Sequence, residues 1–572
     1  MKLYIRLILA ALMAALVSLA TCSGKKAYPF RWVYVTALLD DDAEVGRIAE
    51  LARRASTHGL NGFVMFSRFD YLSLQDSVYF RRLAEVKRAC DENGIEIIPR
   101  CLDLGYNDET NLHHDRNLAE GLPVIDAVFV AAKGRALPVT EPPVVVVNGG
   151  FEERVAEKVS GFRALAPLGE VIFRDEMNCR EGKASLRFEN FGGFPSDSML
   201  LVQEVAVRPN RLYRLSCWVK NEGVKAPEEG FPLRTRGADG RRLEYFEPQV
   251  PRDGQWRKVS YGFNSLDNNR ITVAVGAMGA DSGRYWIDDI RIEEPGLVNL
   301  LRRSGTPLSV KSAWNGTVYE EGVDFAPVAD SVLDFKFDRE GPSIELLPGS
   351  RIADGEKLAV SFYHGMTIYY HQVVGCLSEP RVYDLWREQV RLLDKYLKPA
   401  KYFLSVDELR MAGTCKACTD RGLPLPAMLG DCVSRQEAII REVNPQAELF
   451  IWSDMFDSHH NADRRGHYYL ASGDFYGAWE HIPKDLVIAC WYHERRRESL
   501  GHFSSLGYRT FACGYYDRDD LDNDRTWLEA LDQTPGAAGI MYTTWSGKYG
   551  LLEDFGDLVS GHPATLLPLS MK

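Results

Sequence analysis

The strongest constraint on the fold is an alternation of short apolar runs with amphipathic helical runs, which occurs in two separate parts of the chain. The first part, residues 30–104, contains the apolar runs FRWVYVT, NGFVMFS and IEIIPRCL, separated by the helical runs AEVGRIAELARRAS and YFRRLAEVKRACDENG. Apolar strands separated by helices at this spacing are typical of parallel βα units. The pattern breaks after residue 104.

The alternation returns after about residue 380. This second part contributes the helical run VYDLWREQVRLLDKYL and five apolar runs: KYFLSVDE, AELFIWSDMF, LVIACWYH, YRTFACGYY and GIMYTTW. Three early and five late strands make eight, the number in a (β/α)8 barrel, whose parallel strands are buried by helices. The sequence therefore predicts an α/β fold, a (β/α)8 TIM barrel. A ninth run, KLAVSFYHG at 357–365, fits either a barrel strand or the last strand of an insertion.

The material between the two barrel parts has a different pattern. Residues 144–296 contain short alternating runs such as SMLLVQEVAV and ITVAVGAMG, broken by Gly, Asn, Asp and Pro. This pattern predicts an all-β sandwich, which can be inserted into a barrel loop because its ends can lie close together. The segments NGGFE, YRLSCWVK and YWIDDIRIEE resemble carbohydrate-binding modules of the family 4/9 jelly-roll type. The resemblance implies a jelly-roll sandwich that interrupts the barrel.

The beginning of the chain has the features of a bacterial export signal. A basic start is followed by an apolar run from Leu7 to Ala20, which is short for a bilayer span, and by small residues before Cys22. The segment LATC resembles a lipoprotein cleavage box that would lipidate Cys22, whereas ordinary cleavage nearby would give a freely secreted product. We therefore expect a periplasmic, cell-surface or extracellular protein, with a lipid anchor through Cys22 as one alternative.

These patterns divide the chain into five predicted segments. They are the export signal (1–22), the first part of the barrel (28–140), the sandwich (144–296), a small β-rich linker (297–358) and the second part of the barrel (359–565).

Length and charge exclude some classes of protein. A chain of 572 residues is expected to form two or three domains. Its formal net charge of −12 argues against nucleic-acid binding, which depends on Lys and Arg to displace counterions from phosphates. No cofactor is expected. The oligomeric state is not determined by these features.

Carboxylates and aromatic residues recur at the ends of the late strands. In a (β/α)8 enzyme the site is built from residues at the carboxyl ends of the strands. Sugar rings stack on aromatic faces, and carboxylates accept hydrogen bonds from sugar hydroxyls. For any single residue, a packing or helix-capping role is the simpler interpretation. Their recurrence at five consecutive strand ends favours a sugar site formed by Asp407, Glu408, Trp452, Asp454, Asp457, Trp491, His493, Tyr515, Tyr516, Asp517 and Trp545.

Asp407 and Glu408 are adjacent, and adjacent residues of a strand point to opposite sides. Both can reach one substrate only where the strand ends, which favours a division of roles. We expect Glu408 to be the general acid on the glycosidic oxygen, kept protonated by apolar surroundings and by the second carboxylate. Asp407 would orient and stabilise another group of the substrate.

The segment CLSEPRVYDLWREQVRLLDKYLKPAKYFLSVDEL, with LFIWSDMF and GIMYTTW downstream, resembles glycoside hydrolase family 20, the β-N-acetylhexosaminidases. In that family an Asp-Glu pair closes the fourth barrel strand, and the 2-acetamido oxygen of the substrate is the nucleophile. The resemblance implies that Asp407 holds the acetamido group and that Glu408 protonates the leaving group. It also implies that Tyr515 or Tyr516 hydrogen-bonds the acetamido carbonyl and that three tryptophans wall the pocket: Trp452, Trp491 and Trp545.

Two features depart from that family. The first strand usually supplies an Arg to the sugar hydroxyls, but FRWVYVT has none at its carboxyl end. The last strand usually ends Trp-x-Glu, and Gly547 stands at the Glu position. Three arginines are candidates to replace the missing groups: Arg68, Arg100 and Arg410.

A Cys-x-x-Cys motif, Cys415 and Cys418, follows the carboxylate pair. With Cys432 and the pair His459 and His460 it could form a zinc site, but structural zinc sites usually contain two such paired motifs. A disulfide that braces the loop, or free thiols, is the favoured interpretation, so no metal is predicted.

The sequence thus predicts an exported exo-glycosidase that acts on β-linked N-acetylhexosaminides of an oligo- or polysaccharide, with retention and by a substrate-assisted route. One alternative is a glycosidase of another specificity that uses Glu408 with Asp454 or Asp517 as nucleophile or base. Another is a surface glycan-binding lipoprotein without catalytic activity.

Overall fold

A computed structural model of the chain describes residues 27–105, 114–155, 158–195, 197–224, 233–245, 250, 253–277, 282–369 and 372–569. The predicted export signal and Cys22 lie outside these ranges. None of the helices within them combines the length and the apolar character that a membrane span requires.

Eight parallel strands close into a barrel, which confirms the prediction of three early and five late strands. Every strand pairs in parallel with its neighbours, and the first strand pairs with the last through Phe30–Val33 and Gly539–Tyr542. In chain order the barrel strands are Phe30–Thr36, Gly62–Phe66, Glu96–Cys101, Lys401–Leu404, Glu448–Trp452, Val487–Cys490, Arg509–Tyr515 and Ala537–Thr543.

Helices connect most of these strands. The α-helices are Asp42–Thr57, Ser77–Glu92, Pro380–Tyr396, Lys416–Thr419, Leu425–Val443, Arg496–Ser505, Asp522–Leu531 and Leu552–Gly561. Short 3-10 helices cover Arg68–Leu74, Arg116–Leu118, Asp454–Phe456, Ala478–Glu480 and His493–Arg495. Residues 453–486, which connect the fifth strand to the sixth, contain two of these 3-10 turns in place of an α-helix.

The barrel interior is filled by large side chains that point inward from alternate strand positions. The Trp32 ring lies 4.6 Å from the Phe450 ring and 4.8 Å from the Phe511 ring. Gly62 makes room for this ring, because a Cβ there would lie 2.6 Å from Trp32 Cδ1. Aromatic contacts continue upward to Trp452, whose ring lies 4.6 Å from that of Phe403.

The inserted segment contains two antiparallel sheets that face each other across a shared apolar core. The five-stranded sheet contains, in spatial order, Arg257–Asn264, Leu212–Glu222, Arg284–Glu293, Ser185–Glu189 and Ile172–Asp175. The four-stranded sheet contains Leu233–Arg236, Arg270–Gly276, Met199–Ala206 and Arg163–Ala164. A two-stranded pair is formed by Arg154–Val155 and Lys158–Val159. The structure thus combines a β-sandwich with the barrel.

A third antiparallel sheet is formed by strands from the segments that precede and follow the sandwich in the chain. Its six strands are, in spatial order, Val318–Tyr319, Ser309–Ser312, Lys357–His364, Leu122–Ala132, Arg135–Pro138 and Ile344–Glu345. The run at 357–365, which the sequence left unplaced, therefore belongs to this sheet and not to the barrel. One of its two antiparallel partners is the strand Leu122–Ala132, which precedes the sandwich in the chain, and the other is Ser309–Ser312.

One loop of the sandwich segment reaches the carboxyl end of the barrel. The Tyr245 ring lies 4.9 Å from the Tyr469 ring. The Tyr245 carbonyl accepts a hydrogen bond from the Tyr369 amide at 3.2 Å, and the Arg241 guanidinium donates to the Tyr469 carbonyl at 3.4 Å. The insertion therefore forms part of the surroundings of the barrel mouth.

The aromatic filling of the barrel is testable by substitution. Phe450→Ala removes a fully buried ring, so we expect it to cost about 3–5 kcal/mol of stability and to lower the thermal unfolding midpoint. Trp314→Ala is the control, because that side chain is 93% exposed. Equal midpoints for the two variants would contradict the proposed packing.

Candidate functional site

The ends of the third and fourth barrel strands are joined by hydrogen bonds that continue past the strands. The Ser405 amide donates to the Cys101 carbonyl at 3.0 Å, and the Leu104 amide donates to the Ser405 carbonyl at 3.1 Å. The Ser405 hydroxyl is 3.2 Å from Asp103 Oδ1 and 3.1 Å from Asp407 Oδ1. Two carboxylates from distant parts of the chain are thereby held beside one hydroxyl.

Arg100 supplies the positive charge beneath these two carboxylates. Its Nη2 donates to Asp103 Oδ2 at 2.7 Å, and both side chains are buried. Burial raises the pKa of Asp103 well above its usual value, although Arg100 opposes the shift. Burial also raises the pKa of Asp407, with Arg100 again opposing and the Glu408 charge adding to the rise. The pair of carboxylates therefore tends to retain a proton.

Glu408 follows in an uncommon backbone conformation. Its φ is 45°, in the left-handed region, which costs free energy for a residue other than glycine. Its amide donates to Asp454 Oδ2 at 2.9 Å, and its carbonyl accepts from Gln372 Nε2 at 3.0 Å. These bonds hold the strained residue in place, and the turn lets the adjacent Asp407 and Glu408 both approach the barrel mouth.

The Glu408 carboxylate forms an ion pair with Arg410. The distance from Arg410 Nη2 to Glu408 Oε2 is 2.7 Å, and the side chains are 4% and 21% exposed, respectively. Arg410 Nη1 also donates to Gln372 Oε1 at 2.6 Å. The guanidinium lies 4.4 Å from the Tyr369 ring centre and 5.2 Å from that of Tyr469. Arg410 is thus fixed on one side of Glu408.

Asp454 lies fully buried beneath Glu408. Besides the Glu408 amide, it accepts hydrogen bonds from Asn461 Nδ2 at 3.0 Å and from Trp491 Nε1 at 3.3 Å. Burial raises the pKa of Asp454 to about 8, and the charges of Asp407 and Glu408 contribute to the rise. Asp454 therefore orients both Glu408 and Trp491 and adds a group that is protonated near neutral pH.

Aromatic rings surround this acidic group. Trp452 is buried, and its ring lies 6.1 Å from Trp545, which is 52% exposed. Tyr516 stacks on Trp491 at 6.1 Å and meets Trp545 edge-on at 5.9 Å. Tyr34, from the first strand, lies 4.9 Å from Trp545. The Trp452 Nε1–H is buried and has no hydrogen-bond partner among the described residues.

The seventh strand ends in three consecutive left-handed residues, Tyr515, Tyr516 and Asp517. Tyr515 is buried and stacks on Tyr542 at 3.9 Å, in the layer outside the barrel. Tyr516 instead packs against the cluster that fills the barrel interior. Of the two tyrosines implied by the family resemblance, only Tyr516 is therefore placed at the mouth.

Asp517 supports the loop that carries Trp545. Its carboxylate accepts hydrogen bonds from the amides of Trp545 and Ser546 at 2.9 and 3.1 Å and from the Thr544 hydroxyl. Burial would raise the pKa of Asp517, but these donors bring it below its usual value. A carboxylate held in this way orients Trp545 and is poorly placed to attack a substrate.

The three candidate arginines are in different places. Arg100 and Arg410 are in the acidic cluster, as described above. Arg68 begins the 3-10 helix Arg68–Leu74, which follows the second barrel strand. It pairs with Asp40 and lies 5.9 Å from the Tyr71 ring centre. Sequence reasoning missed Asp103 and Gln372, and it missed Tyr34. Two of them carried a signal in the sequence: Asp103 is an acid just after the third strand, and Tyr34 is a tyrosine near the end of the first strand.

The ten cysteines among the described residues are all free thiols. Cys415 and Cys418 lie beside Cys376 and Glu120, and the four side chains form a buried group with the spacing of metal ligands. Neither Cys432 nor the histidines His459 and His460 belong to this group. Only Cys415 and Cys418 of this group lie in the loop after the carboxylate pair.

No family model matches the chain, and no curated protein matches it. Solved structures match at low similarity. The xylan-binding CBM22-1 domain of Xyn10C from Paenibacillus barcinonensis is 17% identical, covering 25% of this chain and 90% of that domain, with a TM-score of 0.19. A CBM61 domain in complex with β-1,4-galactotriose is 19% identical, covering 25% of this chain and 94% of that domain, with a TM-score of 0.19.

A rhamnosidase from Novosphingobium sp. PP1Y is 10% identical, covering 93% of this chain and 58% of that protein, with a TM-score of 0.32. Likenesses at this level carry no argument about activity.

The raised pKa of Asp454 predicts a pH-dependent effect on stability. The folded protein holds this proton more tightly than the unfolded chain does, so the stabilisation is complete below pH 3.8 and is lost as the pH rises toward about 8. Asn cannot ionise. We therefore expect the Tm of Asp454→Asn, measured by thermal unfolding, to rise relative to the Tm of the wild type as the pH increases from 3.8 to about 8. A constant difference would mean that Asp454 is ionised throughout.

Proposed function

We propose that the protein is a glycoside hydrolase whose active site is the carboxyl end of the barrel. One observation carries the proposal. The partly accessible carboxylates of Asp407 and Glu408 lie among aromatic rings, above two buried acids, Asp103 and Asp454. Hydrolysis of a glycosidic bond requires a proton donor at the leaving oxygen and a carboxylate that stabilises positive charge, and aromatic faces bind sugar rings.

Glu408 is the proposed general acid. In the free protein its carboxylate is paired with Arg410 at 2.7 Å. A sugar bound at the mouth would compete with Arg410 for Glu408. Once the two are apart, the Glu408 carboxyl group would be free to face the leaving oxygen.

The substrate class that best fits the adjacent pair is a β-linked N-acetylhexosaminide. In this route the acetamido oxygen attacks C1 as Glu408 donates its proton to the leaving oxygen, which gives a cyclic oxazolinium ion. Asp407 accepts a hydrogen bond from the acetamido N–H and stabilises the positive charge of the oxazolinium ion. Water then attacks C1 and gives its proton to the Glu408 carboxylate, which restores the enzyme with retention. Tyr516, Trp491 and Trp452 would enclose the acetamido group.

A second candidate is a glycosidase in which a protein carboxylate replaces the acetamido group. The observation in its favour is the position of Asp454, which lies beside the proposed acid. Its Oδ2 accepts a hydrogen bond from the Glu408 amide at 2.9 Å. The hydrogen bonds that Asp517 makes to its own loop disfavour that residue in this role.

We further propose that the sandwich binds glycan and that the protein acts outside the cytoplasm. The first proposal rests on the resemblance to carbohydrate-binding modules, and the second on the apolar run before Cys22. Both fit an enzyme that degrades a polysaccharide delivered from outside the cell.

The test of the proposed function is a panel of aryl β-glycosides with and without the 2-acetamido group. We expect the wild type to hydrolyse the acetamido substrates and Glu408→Gln to lose at least about 10²-fold in kcat, because general acid catalysis typically contributes this much or more. Glu494→Gln is the matched control, since Glu494 is an exposed glutamate in the 3-10 turn after the sixth strand. Turnover of Glu408→Gln near the wild-type rate would refute the assignment.

The variant Asp407→Asn separates the two candidate mechanisms. If Asp407 holds the acetamido group, the variant loses activity on the acetamido substrates. Its activity on the 2-hydroxyl substrates stays close to that of the wild type, which is already low on them. If Asp454 is the nucleophile, Asp454→Asn abolishes activity on 2-hydroxyl substrates. A wild-type protein that binds oligosaccharides but hydrolyses none of the panel would support a glycan-binding role instead.

A further inference from the structure

Four buried side chains from three separate segments converge near the loop that follows the fourth barrel strand. Glu120 precedes the strand Leu122–Ala132, Cys376 precedes the helix Pro380–Tyr396, and Cys415 and Cys418 form the Cys-x-x-Cys. Their ligand atoms all lie within 4.8 Å of one another, and all four residues are buried. None of them takes part in the proposed hydrolysis.

The distances match the edges of a tetrahedral metal site. Cys376 Sγ lies 3.4 Å from Cys415 Sγ and 3.7 Å from Cys418 Sγ. Glu120 Oε2 lies 3.6 Å from Cys415 Sγ and 3.5 Å from Cys418 Sγ. Around a tetrahedral zinc ion, with Zn–S of about 2.3 Å and Zn–O of about 2.1 Å, two sulfurs are about 3.8 Å apart and a sulfur and an oxygen about 3.6 Å.

The surroundings orient Glu120 toward the three sulfurs. Its Oε1 accepts hydrogen bonds from the amides of Thr414 and Cys415 at 2.7 and 2.8 Å and from the Thr414 hydroxyl at 3.0 Å. These three donors hold Oε1, so that Oε2 is the atom that faces the thiols. Such support of a ligand by a second layer of hydrogen bonds is typical of metal sites.

A buried positive charge lies beside the group. Arg303 Nη2 is 3.6 Å from Cys415 Sγ and donates to the Ala119 carbonyl at 2.9 Å. Three thiolates and a carboxylate carry four negative charges. A divalent ion would offset two of them, and Arg303, which also pairs with Glu379 at 3.6 Å, supplies a further positive charge beside the group, because buried charges need partners.

We propose that Glu120, Cys376, Cys415 and Cys418 bind one structural zinc ion. Thiolate ligands favour a soft ion such as zinc, and four protein ligands leave no open position, which is the arrangement of a structural site and not of a catalytic one. The Cys-x-x-Cys alone did not predict this site, because the other two ligands come from 39 and 295 residues away from Cys415.

The zinc ion would join three parts of the chain at the edge of the barrel mouth. Cys415 lies only a few residues after Glu408 and Arg410, in the loop that carries both. Glu120 begins the connection to the antiparallel sheet, and Cys376 lies four residues after Gln372, which holds Arg410 and Glu408. The ion would therefore fix the backbone that positions the proposed acid.

Metal analysis of the purified full chain tests the proposal. We expect one zinc per chain by inductively coupled plasma mass spectrometry, and loss of that zinc in Cys376→Ser and in Cys418→Ser. Cys432→Ser is the control, since Cys432 is equally buried but lies outside the group; it should keep the zinc. If the protein is isolated without metal, it is first reduced and titrated with Zn²⁺, and the zinc content per chain is measured afterwards.

X-ray absorption at the zinc edge gives a readout that does not depend on folding of the variants. We expect three sulfur ligands at about 2.3 Å and one oxygen at about 2.0–2.2 Å. Glu120→Gln should alter the oxygen shell while the sulfur shell persists. Failure of the reduced wild type to bind Zn²⁺, or a disulfide between any two of the three cysteines in metal-free protein, would overturn the proposal. Neither result depends on hydrolytic activity.

Discussion

The site depends on the pairing of the third and fourth barrel strands, which lie about 300 residues apart in the chain. Phe403 is paired with Arg100 and Leu404 with Cys101, and the Ser405 hydroxyl then bridges Asp103 and Asp407. The sandwich and all six strands of the third antiparallel sheet lie between these strands in sequence. The barrel can close only if both ends of that insertion return to the same edge, and the paired strands Leu122–Ala132 and Lys357–His364 bring them there.

The chemistry of the mouth follows from an imbalance of charge. Four carboxylates, those of Asp103, Asp407, Glu408 and Asp454, share two guanidinium groups, those of Arg100 and Arg410. Asp103, Asp407 and Asp454 have raised pKa values, mainly because loss of contact with water disfavours their charged forms. At neutral pH the cluster can lower its electrostatic energy by retaining protons. A reaction that begins with proton donation to an oxygen suits such a cluster.

The sequence predicted what depends on local pattern and missed what depends on long-range contacts. The eight barrel strands and the Asp407–Glu408 pair could be predicted because apolar runs and their ends are local features. The side of the barrel on which Tyr515 and Tyr516 lie could not, because three left-handed residues interrupt the alternation of the strand. The partners of Cys415, and the role of Gln372 beside Arg410, arise only when distant segments meet.

We propose that Glu408 and the acetamido group of the substrate together cleave a β-glycosidic bond with retention. A proton NMR time course of the hydrolysis of an aryl N-acetyl-β-hexosaminide tests this mechanism. We expect the β-anomer of the free sugar to appear first and then to equilibrate slowly with the α-anomer. Release of the α-anomer first, or no hydrolysis at all, would contradict it.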